Sequence, residues 1–325
     1  MRKAIITGAA GFIGSHMAEK AVAEGLFVVG IDNLWRGNLH NLEGLEGNDR
    51  FLFEQIDIRY PSERLDRAFE GADILFHYGA INGTLHFYER PLEVMEVNLQ
   101  GTINVLEYAR KHKVKKVVFA SSSEVYGDAL MYPTPESHPI LLGDPGNPRY
   151  SYAAAKAMSE FYVQQYARQY GFSFVILRIF NCYGPRMDTS EHGQVVPEFI
   201  RKLLHDQPFV ILGNPEHTRS FCYISDHIEQ SWLVAQMCDN VTVNVGNAEE
   251  VSILELARIL HEIAGKPFKY QLGPERPGDT LRRVPDLSKI QALTGYTPRV
   301  SLREGLTRTL EWYERERRAA RRLAR

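Results

Sequence analysis

The chain has 325 residues, 44% of them hydrophobic and 24% charged, and its 38 Lys+Arg against 40 Asp+Glu give a formal net charge of −2. That length fits one large α/β domain or two closely joined ones, and the near-neutral charge argues against a dedicated nucleic-acid binder, which carries a basic excess. Cys182, Cys222 and Cys238 stand too far apart for a zinc spacing, the histidines show no metal-ligand spacing, and no apolar run is long enough to span a bilayer. The N-terminus runs into an apolar strand with no signal-peptide core, so a cytoplasmic protein with reduced thiols and no metal is expected.

In chain order, residues 4–7, 27–31, 51–56, 74–77, 117–120 and 174–178 are short apolar runs that predict strands, most of them covered on both faces. Helical patterns at about 12–24, 62–70, 91–112 and 150–170 separate them. Such alternation predicts an α/β fold, a doubly wound parallel sheet of Rossmann type. Beyond residue 180 the pattern is less regular. Strands at 209–212 and 241–245 mix with helices at about 195–205, 225–238, 252–264 and 301–318, and a Pro/Gly-rich loop falls at 273–278. The expected organisation is a cofactor domain over 1–180, with a return segment near 221–247, and a smaller C-terminal α/β substrate-binding lobe over 181–325. The arginines after Glu314 read as a solvated helix end whose cations complement the helix dipole.

Gly8, Gly11 and Gly14 follow the first strand and open the first helix in a G-x-x-G-x-x-G spacing. Gly8 suits a tight turn, Gly11 a close approach to a pyrophosphate, and Gly14 tight helix–strand packing. The helix start around Phe12 and Ile13 then offers N–H groups to phosphates. Asp32 ends the second strand, where a carboxylate can accept both adenosine ribose hydroxyls and repel a 2′-phosphate. NAD is therefore favoured over NADP, although Arg36 lies close enough in sequence to serve a phosphate. Asp57 and Ile58 end a third strand and could reach the adenine; a strand-end turn explains Asp57 equally well.

Tyr152 and Lys156 lie four apart on a helix and so share a face. Ionising a free tyrosine at pH 7 costs about 4 kcal/mol, and a neighbouring ammonium lowers that cost, so the pair can accept a proton from a hydroxyl. Ser122, in the run 121–127 after a buried strand, can hydrogen-bond the same oxygen; serine in such a place is also an ordinary turn former.

These segments resemble the extended short-chain dehydrogenase/reductases that act on nucleotide sugars. The resemblance covers essentially the whole chain: Thr7 to His16, Asp32-Asn33-Leu34, His77-Tyr78-Gly79-Ala80, Asn98, Ser121 to Gly127, Tyr152 to Lys156, Asn181 to Arg186, and Thr218 to Phe221. It implies a tightly bound NAD that is lent a hydride and returns it, with a transient 4-keto sugar in between. It also implies catalytic roles for Ser122, Glu124, Tyr152 and Lys156. Asn33, Ala80 and Asn98 would lie on the cofactor side, and Ser123, Asn181, Val195, Arg219 and Arg282 would grip the nucleotide-diphosphate sugar.

The same resemblance leaves the reaction open. Glu124 is the informative residue, because many 4-epimerases lack an acid there, whereas decarboxylases and 4,6-dehydratases carry one. The dehydratases usually have Asp before that Glu; Ser123 is a poor proton donor, which weighs against dehydration. Ser-Glu resembles UDP-glucuronate decarboxylases, while Asn147 to Lys156 is closer to epimerases and dehydratases. UDP-sugar 4-epimerisation and UDP-glucuronate decarboxylation stand level and 4,6-dehydration third, with a non-catalytic NAD(P)-sensing protein as a remote alternative. Apolar residues on more than one face of the 91–112 and 150–170 helices (Leu99, Val105, Leu106, Tyr108; Phe161, Tyr162, Tyr166) predict a homodimer through a four-helix bundle, as relatives form. No nucleic-acid or membrane partner is expected.

Overall fold

A computed structural model describes residues 1–189, 194–275 and 278–323. Seven strands form a sheet in which every paired neighbour is parallel: β1 (Lys3–Thr7), β2 (Phe27–Asp32), β3 (Phe51–Gln55), β4 (Ile74–His77), β5 (Lys116–Ser122), β6 (Ser173–Ile179) and, from much later in the chain, Val241–Val245. Side chains alternate across it. Ala4, Ile6, Ile74 and Phe76 join one buried cluster and Ile5, Leu75, Val117 and Phe119 the other, so both faces need a helical layer. That layer comes from α1 (Phe12–Ala23), α2 (Glu63–Phe69), α3 (Thr84–Glu89), α4 (Pro91–Met95), α5 (Gly101–Lys111), α6 (Ser151–Tyr170) and their later counterparts.

The strand order runs Val241–Val245, β6, β5, β4, β1, β2, β3. Chain direction across the sheet therefore reverses between β1 and β4. At such a reversal the loops leaving the strands diverge and open a crevice beyond their carboxyl ends. The glycine-rich turn after β1 and the Tyr78–Ala80 segment after β4 flank it.

Past β6 the strands are short: β7 (Cys182–Tyr183), β8 (Phe209–Leu212), β9 (Thr218–Ser220), β10 (Cys222–Tyr223), β11 (the seventh sheet strand, Val241–Val245), β12 (Glu250–Ser252), β13 (Tyr270–Gly273) and β14 (Arg282–Arg283). They pair as β7–β10, β12–β9–β14 and β8–β13. Helices α7 (Val195–Leu204), α8 (Ile224–Met237), α9 (Ile253–Ile263), α10 (Ser288–Thr294) and α11 (Leu302–Leu323) accompany them.

The expected 91–112 helix is interrupted: a π-helical turn, Glu96–Gln100, separates α4 from α5. Asn98 lies at its centre, with its amide on the Val94 carbonyl at 2.7 Å and the Ile81 carbonyl at 3.0 Å. Its own carbonyl accepts from Thr102 at 2.6 Å and from Ser159 of α6 at 3.0 Å. The hydroxyls take over part of the backbone pairing that a regular helix would make. The last helix runs to Leu323 rather than 318, and the expected loop at 273–278 begins as the end of β13. His192, counted among the metal-free histidines, and residues 276–277 of that loop lie outside the described residues.

Candidate active site

A cleft of about 570 Å³, a size usual for small-molecule and cofactor sites, opens at the crevice. Most of the residues singled out from the sequence converge on it. Gly8, Gly11, Phe12, Ile13, Gly14, Asp32, Asn33, Asp57, Ile58 and Ala80 line one end, and Ser122, Ser123, Glu124, Tyr152, Lys156 and Asn181 line the other. Val195 and Arg219 line a second cavity, which shares Glu124 and Asn181 with the first. Asn98 lines neither; it is fully buried behind the wall.

The cofactor end is built from backbone. Gly8 has φ +71°, and a Cβ on it would lie 2.9 Å from Gly79 N; one on Gly14 would lie 2.0 Å from Gly8 O. No side chain caps the start of α1, which leaves its first N–H groups to a ligand. Asp32 accepts from Leu34 N at 2.8 Å and Ala10 N at 3.0 Å. Burial raises its pKa, against those backbone bonds. Asn33 donates to Asp57 at 3.0 Å, and Arg59 pairs with Asp57 at 2.7 Å. Burial would raise Asp57, but the Arg59 and Asn33 hydrogen bonds outweigh it and hold the carboxyl low. Arg36 has turned away from a phosphate role: its Nε sits 2.9 Å from Asp188 and its Nη1 bonds the Asn82 carbonyl. A glycine turn, an uncapped helix start and a carboxylate at the strand end together fit a dinucleotide without a 2′-phosphate.

At the other end, α6 carries Tyr152 and Lys156 on one buried face. The Lys156 ammonium donates to the Ala120 carbonyl at 2.8 Å and lies 5.8 Å from the Tyr152 ring centroid. Burial lowers its pKa to about 7, with Glu160, one turn further on, opposing the drop. Burial likewise pushes the Tyr152 phenol well above its ordinary value, eased by a hydrogen bond with Ser122. Burial outweighs the Ser122 hydrogen bond and the Arg149 guanidinium, so without the positive nicotinamide ring the phenol stays high. Phe87 stacks on the Tyr152 ring at 4.8 Å and fixes its plane.

Beside this pair lies a charged cluster that sequence spacing did not reveal. Arg149 grips Glu124 through two bonds, at 2.8 and 3.0 Å, and Arg283 bonds the same carboxylate. Burial alone would raise the Glu124 pKa, but the two guanidiniums hold it far below the usual carboxylate range. Arg149 Nε is buried and finds no acceptor among the described residues. Arg219 pairs with Asp279 at 3.2 Å next to this group. Three cations against two anions leave the cluster one positive charge in excess. Arg282, the residue favoured from sequence, is not part of it. It lies on the surface, paired with Glu250 at 2.6 Å and resting over the Tyr132 ring. Adjacent residues of an extended strand face opposite ways, so β14 aims Arg283 inward and Arg282 outward. The 2-periodicity of the Arg-Arg pair was readable, but its phase was not.

Comparison with known proteins places these features in context. A profile described as the NAD dependent epimerase/dehydratase family matches residues 4–246. The chain is 35% identical over 323 residues to a UDP-N-acetyl-alpha-D-glucosaminuronate decarboxylase of Bacillus cytotoxicus, covering 96% of this chain and 98% of that protein. Its structure is similar to the UDP-glucose 4-epimerase of Thermotoga maritima with UDP-glucose, at TM-score 0.90 and 31% identity, with 97% and 99% of the two chains covered. It is similar also to a dTDP-glucose 4,6-dehydratase double mutant of Streptomyces venezuelae with NAD bound, at TM-score 0.89 and 31% identity, with 98% of each chain covered.

Proposed function

The chain belongs to the NAD-dependent epimerase/dehydratase family, and from that premise we propose that it decarboxylates a UDP-hexuronate through a transient 4-keto sugar, with no net oxidation. NAD is its cofactor; when bound, it supplies a hydride acceptor that later gives the hydride back. Gly8, Gly11, Gly14 and the start of α1 hold the pyrophosphate in this reading, and Asp32 the adenosine ribose. Residues 1–180 with the returning strand β11 form the cofactor domain and the rest mainly the sugar-nucleotide lobe.

The observation that carries the reading is the Arg149–Glu124–Arg283 cluster beside Tyr152. Tyr152, steadied by Ser122, takes the proton of the sugar 4-hydroxyl. The resulting ketone is β to the C6 carboxylate, so the C5–C6 electron pair can move onto the ketone oxygen as carbon dioxide leaves. Tyr152 and Ser122 then stabilise that developing oxyanion by hydrogen bonding, and a proton from water adds to C5 in place of carbon dioxide, restoring the ketone that takes the hydride back. The excess positive charge draws in a substrate carboxylate, while the fixed anion of Glu124 opposes its charge and favours its departure as neutral carbon dioxide. Ser123 is buried and carries no acid function, which speaks against dehydration. Similarity to the T. maritima enzyme favours 4-epimerisation as the second reading.

Product analysis tests it. Incubated with UDP-glucuronate or UDP-N-acetylglucosaminuronate, the enzyme releases carbon dioxide and a UDP-pentose species by mass spectrometry. An isomer of unchanged mass, or turnover of UDP-glucose alone, refutes decarboxylation.

We also read the protein as a homodimer. Val105 and Leu106 pack on its own sheet, but Leu92, Met95, Met158 and Phe161 of α4 and α6 are exposed. A monomer in light scattering at micromolar concentration refutes this. A cytoplasmic location accords with an NAD enzyme carrying three free thiols.

A further inference from the structure

We propose that Arg36, held by Asp188, is a clasp across the cofactor cleft that keeps NAD on the enzyme between turnovers. The inference rests on the assignment of this cleft to NAD. Arg36 belongs to the loop after β2, four residues beyond Asp32, and both line the cleft. Its guanidinium leaves that loop in two directions. Nη1 bonds the carbonyl of Asn82, past β4, and Nε pairs with Asp188, past β7 in the part of the chain that leads to the second cavity. One side chain thus joins three segments that approach the cleft from different sides, and all three line it.

The Arg36 and Asp188 side chains are 27% and 29% exposed, so the pair lies at the mouth of the cleft rather than in the core. A second tie runs parallel to it: Arg186, two residues before Asp188, pairs with Glu19 of α1 at 2.6 Å. Two arginine–carboxylate links therefore cross between the dinucleotide-binding elements and the segment after β7. Arg36, Asn82 and Asp188 all line the cleft, so the Arg36 tie spans it, and in this proposal a dinucleotide held there leaves only when that tie opens. A reaction in which the cofactor must give its hydride back to the same sugar benefits from such retention, because loss of the reduced cofactor in mid-cycle strands the keto sugar. The pairing also withholds Arg36 from a 2′-phosphate, in keeping with the Asp32 carboxylate next to the ribose site.

Because the pair is partly exposed, its hold is modest and salt-sensitive. The test loads the full-length protein with radiolabelled NAD, chases with excess unlabelled NAD, and follows retained label by rapid filtration. Arg36→Met and Asp188→Asn are each expected to release label about fivefold faster than wild type. The double variant should release no faster than either single one, because both remove the same link. Raising ionic strength should speed release from wild type more than from the double variant. Far-ultraviolet circular dichroism confirms that each variant is folded, and Asp188→Ala replaces any that is not. Equal release rates in all folded variants overturn the clasp while leaving the cofactor assignment intact. A wild-type protein that takes up no label overturns the cofactor assignment and the clasp together.

Discussion

The two ends of the cleft are made by different means. The cofactor end is one continuous stretch from β1 into α1, completed by Asp32 at the end of the neighbouring strand, and its work is done by backbone geometry. The other end is collected from residues far apart in sequence: Glu124 and Arg283 line the cleft, Arg149 and Arg219 the adjoining cavity, and opposed charges hold them together. Backbone sites leave a local signature, because only glycine tolerates the close approaches at Gly8 and Gly14. The charge cluster leaves no spacing of its own: Glu124 and Arg219 stood out only through resemblance, and spacing did not show that Arg149 and Arg283 would meet Glu124.

The contrast can be broken at several points. Tyr152→Phe removes the proton acceptor but leaves both ends standing. It should lower kcat by about a thousandfold while NAD remains bound, as steady-state assay and cofactor absorbance would show. A loss of only severalfold would mean that another group takes the proton.

Arg283→Met opens the charged cluster and leaves Glu124 with one guanidinium. The kcat/KM for UDP-glucuronate should fall about a hundredfold, the scale for truncating one partner of a desolvated charged pair. Arg282→Met, one residue away on the solvent side, should change it by less than about threefold. Equal effects of the two would erase the inward–outward distinction in β14.

Gly14→Ala probes the backbone end. Its methyl group would fall 2.0 Å from the Gly8 carbonyl, so the turn must shift. NAD content after desalting should drop at least about tenfold, the equivalent of roughly 1.4 kcal/mol. Retention at the wild-type level would show that the turn yields cheaply.

The smallest effect is a titration. Lys156 in the cofactor-free protein should lose its proton near pH 7, followed by NMR of labelled lysine. Its pKa lies below that of an unfolded lysine, so the unfolded chain binds the proton more tightly over the interval between. This residue therefore lets stability rise with pH from about 7 to about 10.4. A lysine titrating above 10 would remove the electrostatic account of the Tyr152–Lys156 pair.

Periodicity alone located all seven strands of the main sheet, because strands covered on both faces appear as unbroken apolar runs. It did not reveal the π turn at Glu96–Gln100. That turn depends on Asn98 meeting carbonyls and hydroxyls from α4, α5, α6 and the segment after β4. Nor did it reveal the short helices α3 and α10. Arg149 lay in the segment Asn147 to Lys156, but nothing in its spacing showed that the fold would bring its guanidinium onto Glu124.

We propose that the charged end reads a sugar carboxylate. It is tested most directly by the ratio of kcat/KM for UDP-glucuronate to that for UDP-glucose, in wild type and in Arg149→Met and Arg283→Met. The ratio should be well above one in wild type and collapse towards one in both variants. A wild-type ratio near one, or a high ratio that survives both substitutions, would contradict it.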